Sequence, residues 1–386
     1  MNRSLILIFV ICLACIAAGS LDAQAQALGP GNPFIDARAG ALPIIVSAPH
    51  GGRLAPDSLA DRSCLNCIVG ADSGTQEWAR ELVAALERRT GRVPYLVINL
   101  LTRRKLDANR EIVEAADGDP QAESAWAAYH GAIETARHDI EARFGRGLLV
   151  DLHGHGHPVQ RLELGVLLSA VQLASTTGTI DDLADQSSLR ALSDRTGSLS
   201  SLLRGPDAFG TLFTNTGVPA VPSAVDPFPL PGQAFFDGGY ITLRHGSRDG
   251  GTIDAIQIEA PYPGLRDTPA NIRTFALHTA AVIDEFLARH YGLVLAMDGP
   301  SRPPVTRSCL EVRSDRVKIH VRAGPTCDPP EGASIRIHDT LGRLVASTRW
   351  TSGGIVMETT GMAPGAYFLT MDGPLGHRAL PFVHLR

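Results

Sequence analysis

Two patterns of apolar and polar positions alternate between residues 42 and 292. "LPIIVSAPHGG" is an aliphatic, β-branched run halted by Pro49 and two glycines, and "VPYLVINLL", "GLLVDLH" and "DAIQIEAPYPG" repeat the form; each predicts a buried strand. Between them, "SGTQEWARELVAALERRTG" sets Trp78, Leu82, Val83 and Leu86 on one helical face, with Ser73 or Thr75 as N-cap and Gly91 as stop. "AESAWAAYHGAIETARHDIEARFG" and "TPANIRTFALHTAAVIDEFLARHYG" read as two longer helices, the second closing the unit. Strand alternating with helix at this rhythm predicts an α/β domain on a mixed, mostly parallel sheet with flanking helices. Over residues 171–231 the pattern weakens into Ser, Thr, Gly and Pro around one helical piece, "SSLRALSDRTGSLSSLL", where a pocket-covering insertion is expected.

Past the Pro- and Gly-rich "MDGPSRPPVTR" the period changes to two. "VKIHVRAG", "ASIRIHDTLGRLVASTRW", "GIVMETTG" and "GAYFLTMDG" alternate apolar and polar residues with turn residues between them, which predicts a small C-terminal all-β sandwich. The expected division is an α/β domain at 28–295, a linker at 296–305 and a sandwich module at 306–386. With 386 residues, 44% of them hydrophobic and 19% charged, the chain can bury both cores. A net charge of −5 and the absence of any long Lys or Arg block argue against nucleic acid as a partner.

The N-terminus adds a location. Arg3, the apolar run "LILIFVICLACIAAG" and small residues at Ala23, Ala25 and Ala27 form a secretory signal, residues 1–25 when cut after Ala25. The run is short for a membrane span, so the mature protein is expected to be exported, to the periplasm, the medium or the cell surface, with no stable span. Of six cysteines, Cys12 and Cys15 leave with the signal. Cys64, Cys67, Cys309 and Cys327 remain, an even count that outside the cytosol favours disulfides, most simply 64–67 and 309–327.

Four polar clusters end predicted strands, where an open α/β sheet gathers its active site. They are Pro49-His50-Gly51-Gly52, Asp107-Ala108-Asn109-Arg110, Asp151-Leu152-His153-Gly154-His155 and Gln257-Ile258-Glu259. His50 and His153 stand in the same relation to their strands and can converge on one metal ion, which in a catalytic zinc site takes three protein ligands and leaves one position open. The third ligand is a carboxylate in "GADSGTQEWA": Asp72, which precedes the helix, is preferred over Glu77, which lies inside it. Both are also ordinary acidic residues at a helix start. Glu259 at the end of a buried strand suits a general base. Arg103, Asn109 and Arg110 offer donors for a substrate carboxylate, whereas Arg104 and Lys105 read as a solvated basic loop. Asp151 is expected to orient the site and Gly154 to leave clearance at the metal. His155 either contacts substrate or only holds the loop, and His157 reads as a surface residue.

Together "VSAPHGG", "TRRKLDANR", "LLVDLHGH" and "GGYITLRHG…IDAIQIE" resemble the N-formylglutamate amidohydrolase family, a branch of the zinc carboxypeptidase-like α/β hydrolases. The resemblance implies a phosphorylase/hydrolase-like fold, one zinc ion per chain and hydrolysis of an amide beside a carboxylate-bearing group. It carries over His50 and His153 as ligands, Glu259 as catalytic carboxylate, and Asn109 with Arg110 as the clamp on a small N-acyl amino acid or short acidic peptide. "DSGT" around Asp72 is similar to the acidic residue before Gly-Thr in poly-γ-glutamate hydrolases. The long CLNC-bearing loop between His50 and Asp72 and the export signal both depart from the family pattern. "IRIHDTLGRLV" and "GMAPGAYFLTM" resemble C-terminal sandwich modules of secreted bacterial proteins, some of which are sorting signals. The rival functions are a metallopeptidase for γ-glutamyl or cell-wall peptides and a non-catalytic exported binding protein. No G-x-S-x-G phrase supports a serine hydrolase.

Overall fold

A computed structural model describes residue 28, residues 31–64, residues 67–295 and, with gaps, 310–384. The signal at 1–25, the linker and the 309–327 cysteine pair lie outside the described residues. Cys64 and Cys67 do meet, their Cα atoms 5.4 Å apart, a separation that a disulfide spans.

The first unit is a seven-stranded mixed sheet. In chain order it runs β1 (Ile35–Arg38), β2 (Ile44–Ala48), α1 (Thr75–Thr90), β3 (Tyr95–Asn99), α2 (Ile112–Ala116), α3 (Pro120–Phe144), β4 (Gly147–His155) and β5 (Leu162–Gly165). Five short helices follow: α4 (Ala170–Leu173), α5 (Thr177–Asp181), α6 (Arg190–Thr196), α7 (Leu199–Arg204) and α8 (Phe209–Asn215). Then come β6 (Ala220–Val221), α9 (Tyr240–His245), β7 (Ile253–Pro261) and α10 (Pro269–Phe286). The strand order is β1-β3-β2-β4-β7-β5-β6. β3, β2, β4 and β7 are parallel, β1 and β5 pair antiparallel to their inner neighbours, and β6 lies parallel to β5.

The four parallel strands are apolar runs because helices cover both faces. Alternation sends Ile44, Val46, Leu148, Val150, Ile256 and Ile258 to a core shared with α1, α8 and α10, where Trp78 stacks on Phe275. Ile45, Val97, Leu149 and Ala255 go to the opposite core under α3, with Tyr129 and Ile133. The same period puts Asp151, His153 and His155 on one face of β4, and Gln257 and Glu259 on the matching face of β7, in register as Asp151↔Gln257 and His153↔Glu259. From β2 the chain crosses to β3 on one side, and β4 lies on the other. His50 and His153 thus flank the point where strand order reverses, the usual place for a site in an open α/β sheet.

Two local expectations change. The N-cap of α1 is Gly74 in the left-handed region, φ 87°, rather than Ser73 or Thr75, because a Cβ there would run into the Arg266 backbone. Residues 170–215 hold five short α-helices and a 3₁₀ turn (Ala184–Gln186) rather than one helical piece, packed into the α1–α10 core. Their apolar faces are too brief to show a helical period in the sequence.

The C-terminal unit holds β8 (Leu310–Ser314), β9 (Lys318–Ala323), β10 (Ser334–Asp339), β11 (Leu344–Arg349), β12 (Ile355–Glu358), β13 (Gly365–Gly373) and β14 (Gly376–His384). They form antiparallel sheets ordered β11-β10-β13-β14 and β12-β9-β8. Ile319, Val321, Ile335, Ile337, Trp350 and Leu369 share one core. Among the described residues no helix is long and apolar enough to cross a membrane.

One buried acid at the start of β7 gives a stability test. Burial pushes the Asp254 carboxyl up to about 6 from the usual 3.8, although Ser247, Tyr291 and the Leu192 amide all donate to it. The folded protein therefore keeps this proton to higher pH than the unfolded chain. Relative to Asp254→Asn, the wild type should be most stable below about pH 4 and lose about 3 kcal/mol as pH rises to about 6, with no change beyond. Urea unfolding of both proteins across this range checks it; parallel pH profiles would contradict it.

Candidate metal centre

Pro49 leaves β2, and His50 follows with two glycines whose use is close approach. A Cβ on Gly51 would overlap Thr75 Oγ1 and the Gln76 amide, and one on Gly52 would overlap the Leu100–Leu101 backbone. The start of α1 is thereby drawn against the His50 loop, and the Asp72 amide donates to the His50 carbonyl at 3.1 Å. Asp72 Oδ2 then lies 3.3 Å from His50 Nδ1 and 3.3 Å from His153 Nδ1, and accepts the Gly154 amide at 3.1 Å. The two imidazoles meet edge to face, centroids 4.8 Å apart. All three side chains are buried.

The outer nitrogens are held alike. His50 Nε2 is 2.6 Å from Asp107 Oδ1, and His153 Nε2 is 2.8 Å from Asp151 Oδ2, whose other oxygen accepts from Ser47 Oγ at 2.6 Å. A carboxylate on Nε2 keeps the proton there and turns the Nδ1 lone pairs toward each other and Asp72. A distance of 3.3 Å is long for a charge-assisted hydrogen bond, which runs about 2.7–2.9 Å. It matches the spacing of about 3.3 Å between ligands that each stand about 2.0–2.1 Å from one tetrahedral ion.

Electrostatics point the same way. Four carboxylates, Asp72, Asp107, Asp151 and Glu259, surround two imidazoles. Burial opposes ionisation of Asp72, but the two histidines overcome it and hold the carboxyl well below its usual range. Burial likewise works against a charged His153, yet Asp151 and Asp72 hold it well above the ordinary value. A divalent cation held by Asp72 and the two Nδ1 atoms would leave both histidines neutral. Glu259 Oε1 lies 3.8 Å from His153 Nδ1 and accepts from Gln257 Nε2, while Oε2 is buried with no partner among the described residues. Burial pushes its carboxyl up to about 7. The donor set and this orphaned oxygen fit a metal ion with its water.

A cleft of about 320 Å³ opens over these groups, lined also by Ile68, Arg103, Asn109, Arg110, His155, His157 and Phe236. Asn109 Oδ1 accepts the Ile241 amide at 2.8 Å. Arg110 spends Nε on Glu114 and Nη1 on the Asn109 carbonyl, and its Nη2 has no partner among the described residues. Arg103 donates to Asp107 at 2.8 Å and stands 3.7 Å from Asp72, so its charge serves the site's own carboxylates. His155 has both nitrogens engaged, Nε2 with the Arg161 carbonyl and Nδ1 with the His157 amide. Glu77 sits apart, paired with Arg53.

Several sequence expectations are corrected. Gly154 makes room for the Arg266 guanidinium, which a Cβ would overlap, rather than for the metal. That buried guanidinium ties the Ala260 carbonyl to the Ser73 carbonyl, and nothing in the sequence around it announced the role. Lys105 is buried, with Nζ 2.5 Å from the Leu59 carbonyl and 2.9 Å from Asp61; Arg104 is exposed as expected. His157 is half-buried in the cleft wall, 2.8 Å from the fully buried Glu163. No side chain of the 171–231 segment lines the cleft. His155, His157 and Glu163 also bring potential ligand atoms together, but both His155 nitrogens are already in use.

No family model matches the chain, and neither does any curated protein. Among solved structures, an N-formylglutamate amidohydrolase from Ralstonia eutropha JMP134 aligns over 67% of this chain and 99% of its own, at 14% identity and a TM-score of 0.40. A DUF3244-family protein with an immunoglobulin-like β-sandwich fold, from Bacteroides vulgatus, aligns over 20% of this chain and 85% of its own, at 20% identity and a TM-score of 0.17.

Elemental analysis of the purified protein after dialysis should find about one transition-metal ion per chain, absent from His153→Ala. Asp107→Asn and Asp151→Asn should each weaken metal binding about 10- to 100-fold, and Glu77→Ala should leave it unchanged. No bound metal in the wild type, even after zinc is offered, would contradict the site.

Proposed function

We propose that this protein is an exported zinc-dependent amidohydrolase that cleaves an amide bond beside a carboxylate, as in an N-acyl amino acid or a short acidic peptide. The supporting observation is Glu259 with an unpartnered oxygen beside the His50–Asp72–His153 group, inside one cleft. Two nitrogens and one carboxylate are the ligand set of a hydrolytic zinc, which when bound lowers the pKa of water toward about 7 and polarises a carbonyl.

The remaining work belongs to the chain. Glu259, whose carboxyl burial pushes up, takes the proton of the attacking water and returns it to the leaving nitrogen. Arg110 Nη2 and the Asn109 amide NH2 hold the substrate carboxylate, which fixes the scissile bond relative to Glu259. The Glu114 pair on Arg110 is solvent-exposed and of low strength, so it leaves the guanidinium's charge available. Asp107 and Asp151 keep both imidazoles in one tautomer. The residues 1–25, read as a secretory signal, are what supports a location outside the cytoplasm.

Glu259→Gln should keep the metal and lose about 10²–10⁴ in kcat, the span of general acid–base catalysis. Arg110→Ala should raise KM with a smaller change in kcat. Steady-state kinetics on N-acyl amino acids and γ-glutamyl dipeptides read both effects. Full activity in Glu259→Gln would remove this carboxylate from the reaction.

A further inference from the structure

Glu163 on β5 is fully buried and stands opposite Glu259 across the β5–β7 pair. The metal centre does not use it. A buried carboxylate is costly unless its oxygens are spoken for, and both are: Oε1 lies 2.8 Å from His157 Nδ1, and Oε2 accepts the Phe236 amide at 2.8 Å. One carboxylate thus fixes two residues that are 79 positions apart in the chain, and their rings stack with centroids 4.6 Å apart and planes 25° apart. The His155 ring lies tilted against His157, centroids 5.1 Å apart. All three rings line the cleft. His157 Nε2 has no partner among the described residues, and Phe236 keeps 40% of its surface exposed. Ile68, 50% exposed, is the other large apolar side chain of the lining.

We propose that the Glu163-clamped His157–Phe236 pair is a specificity wall of the cleft that takes an apolar or aromatic group attached to the scissile amide, with His157 Nε2 hydrogen-bonding the polar atom beside that group. The substrate is then larger and more apolar than a formylated acidic amino acid. This deepens, and rests on, the amidohydrolase reading given above. Glu163 acts as a positioning residue, through the two rings it holds.

The test is calorimetric binding to zinc-loaded Glu259→Gln protein, with hydrolysis by the wild type measured separately. N-benzoylglycine and N-formylphenylalanine place a phenyl ring on either side of the amide, and N-formylglycine has none. At least one phenyl-bearing ligand should bind about tenfold or more tightly than N-formylglycine, the scale of burying one aromatic side chain. Adding Phe236→Ala should abolish that preference while leaving N-formylglycine binding and metal content unchanged, and Phe236→Leu should restore part of it. Glu163→Gln should weaken the preference in the same direction. Equal binding of all three ligands, or equal loss for all three in Phe236→Ala, overturns the wall. Hydrolysis without preference sinks the wall and leaves the amidohydrolase; preferential binding without hydrolysis does the reverse.

Discussion

Two histidines whose outer nitrogens are pinned by carboxylates must point their inner nitrogens somewhere, and both point at Asp72. That constraint organises everything around it. Asp107 and Asp151 set the tautomers, and Asp72 closes the triangle at 3.3 Å on each side. As hydrogen bonds the 3.3 Å contacts are poor, whereas as edges of a ligand tetrahedron they are well placed. Arg103 and Arg62 stand against Asp107, so the second layer is charged as well.

The fold delivers these groups by two simple devices. Period-two alternation along β4 and β7 puts Asp151, His153 and Glu259 on one face, and parallel pairing sets His153 beside Glu259. The reversal of strand order between β2 and β4 opens the sheet where His50 emerges. Glycines do the rest: Gly51 lets α1 come close enough for Asp72 to reach both rings, and Gly154 leaves space for Arg266, which locks β7 to the start of that helix.

Much of this was legible in the sequence, because buried parallel strands are long apolar runs and a polar residue ending one stands out. His50, His153 and Glu259 stand out by that contrast, whereas Asp72 is preferred over Glu77 only because it precedes the helix rather than lying inside it. The role of Asp107 is not legible in the sequence, since a loop residue's partner across the sheet has no sequence period. Glu163, Arg266 and the burial of Lys105 were hidden for the same reason: each is paired with residues far away in the chain or with backbone carbonyls. His157 was misjudged because the residue before a proline usually lies in an exposed turn, and only the distant Glu163 and Phe236 draw it into the cleft. The short helices between 170 and 215 escaped because each buries too few positions to show a period.

The most direct measurement is a crystal structure with anomalous diffraction collected at the zinc edge. The expected peak is a single ion about 2.0–2.1 Å from Nδ1 of His50, Nδ1 of His153 and a carboxylate oxygen of Asp72, with Nε2 of each ring still on its aspartate. A peak bonded through Nε2, a peak on the His155–His157–Glu163 group instead, or none in zinc-soaked crystals would contradict the centre and the chemistry built on it.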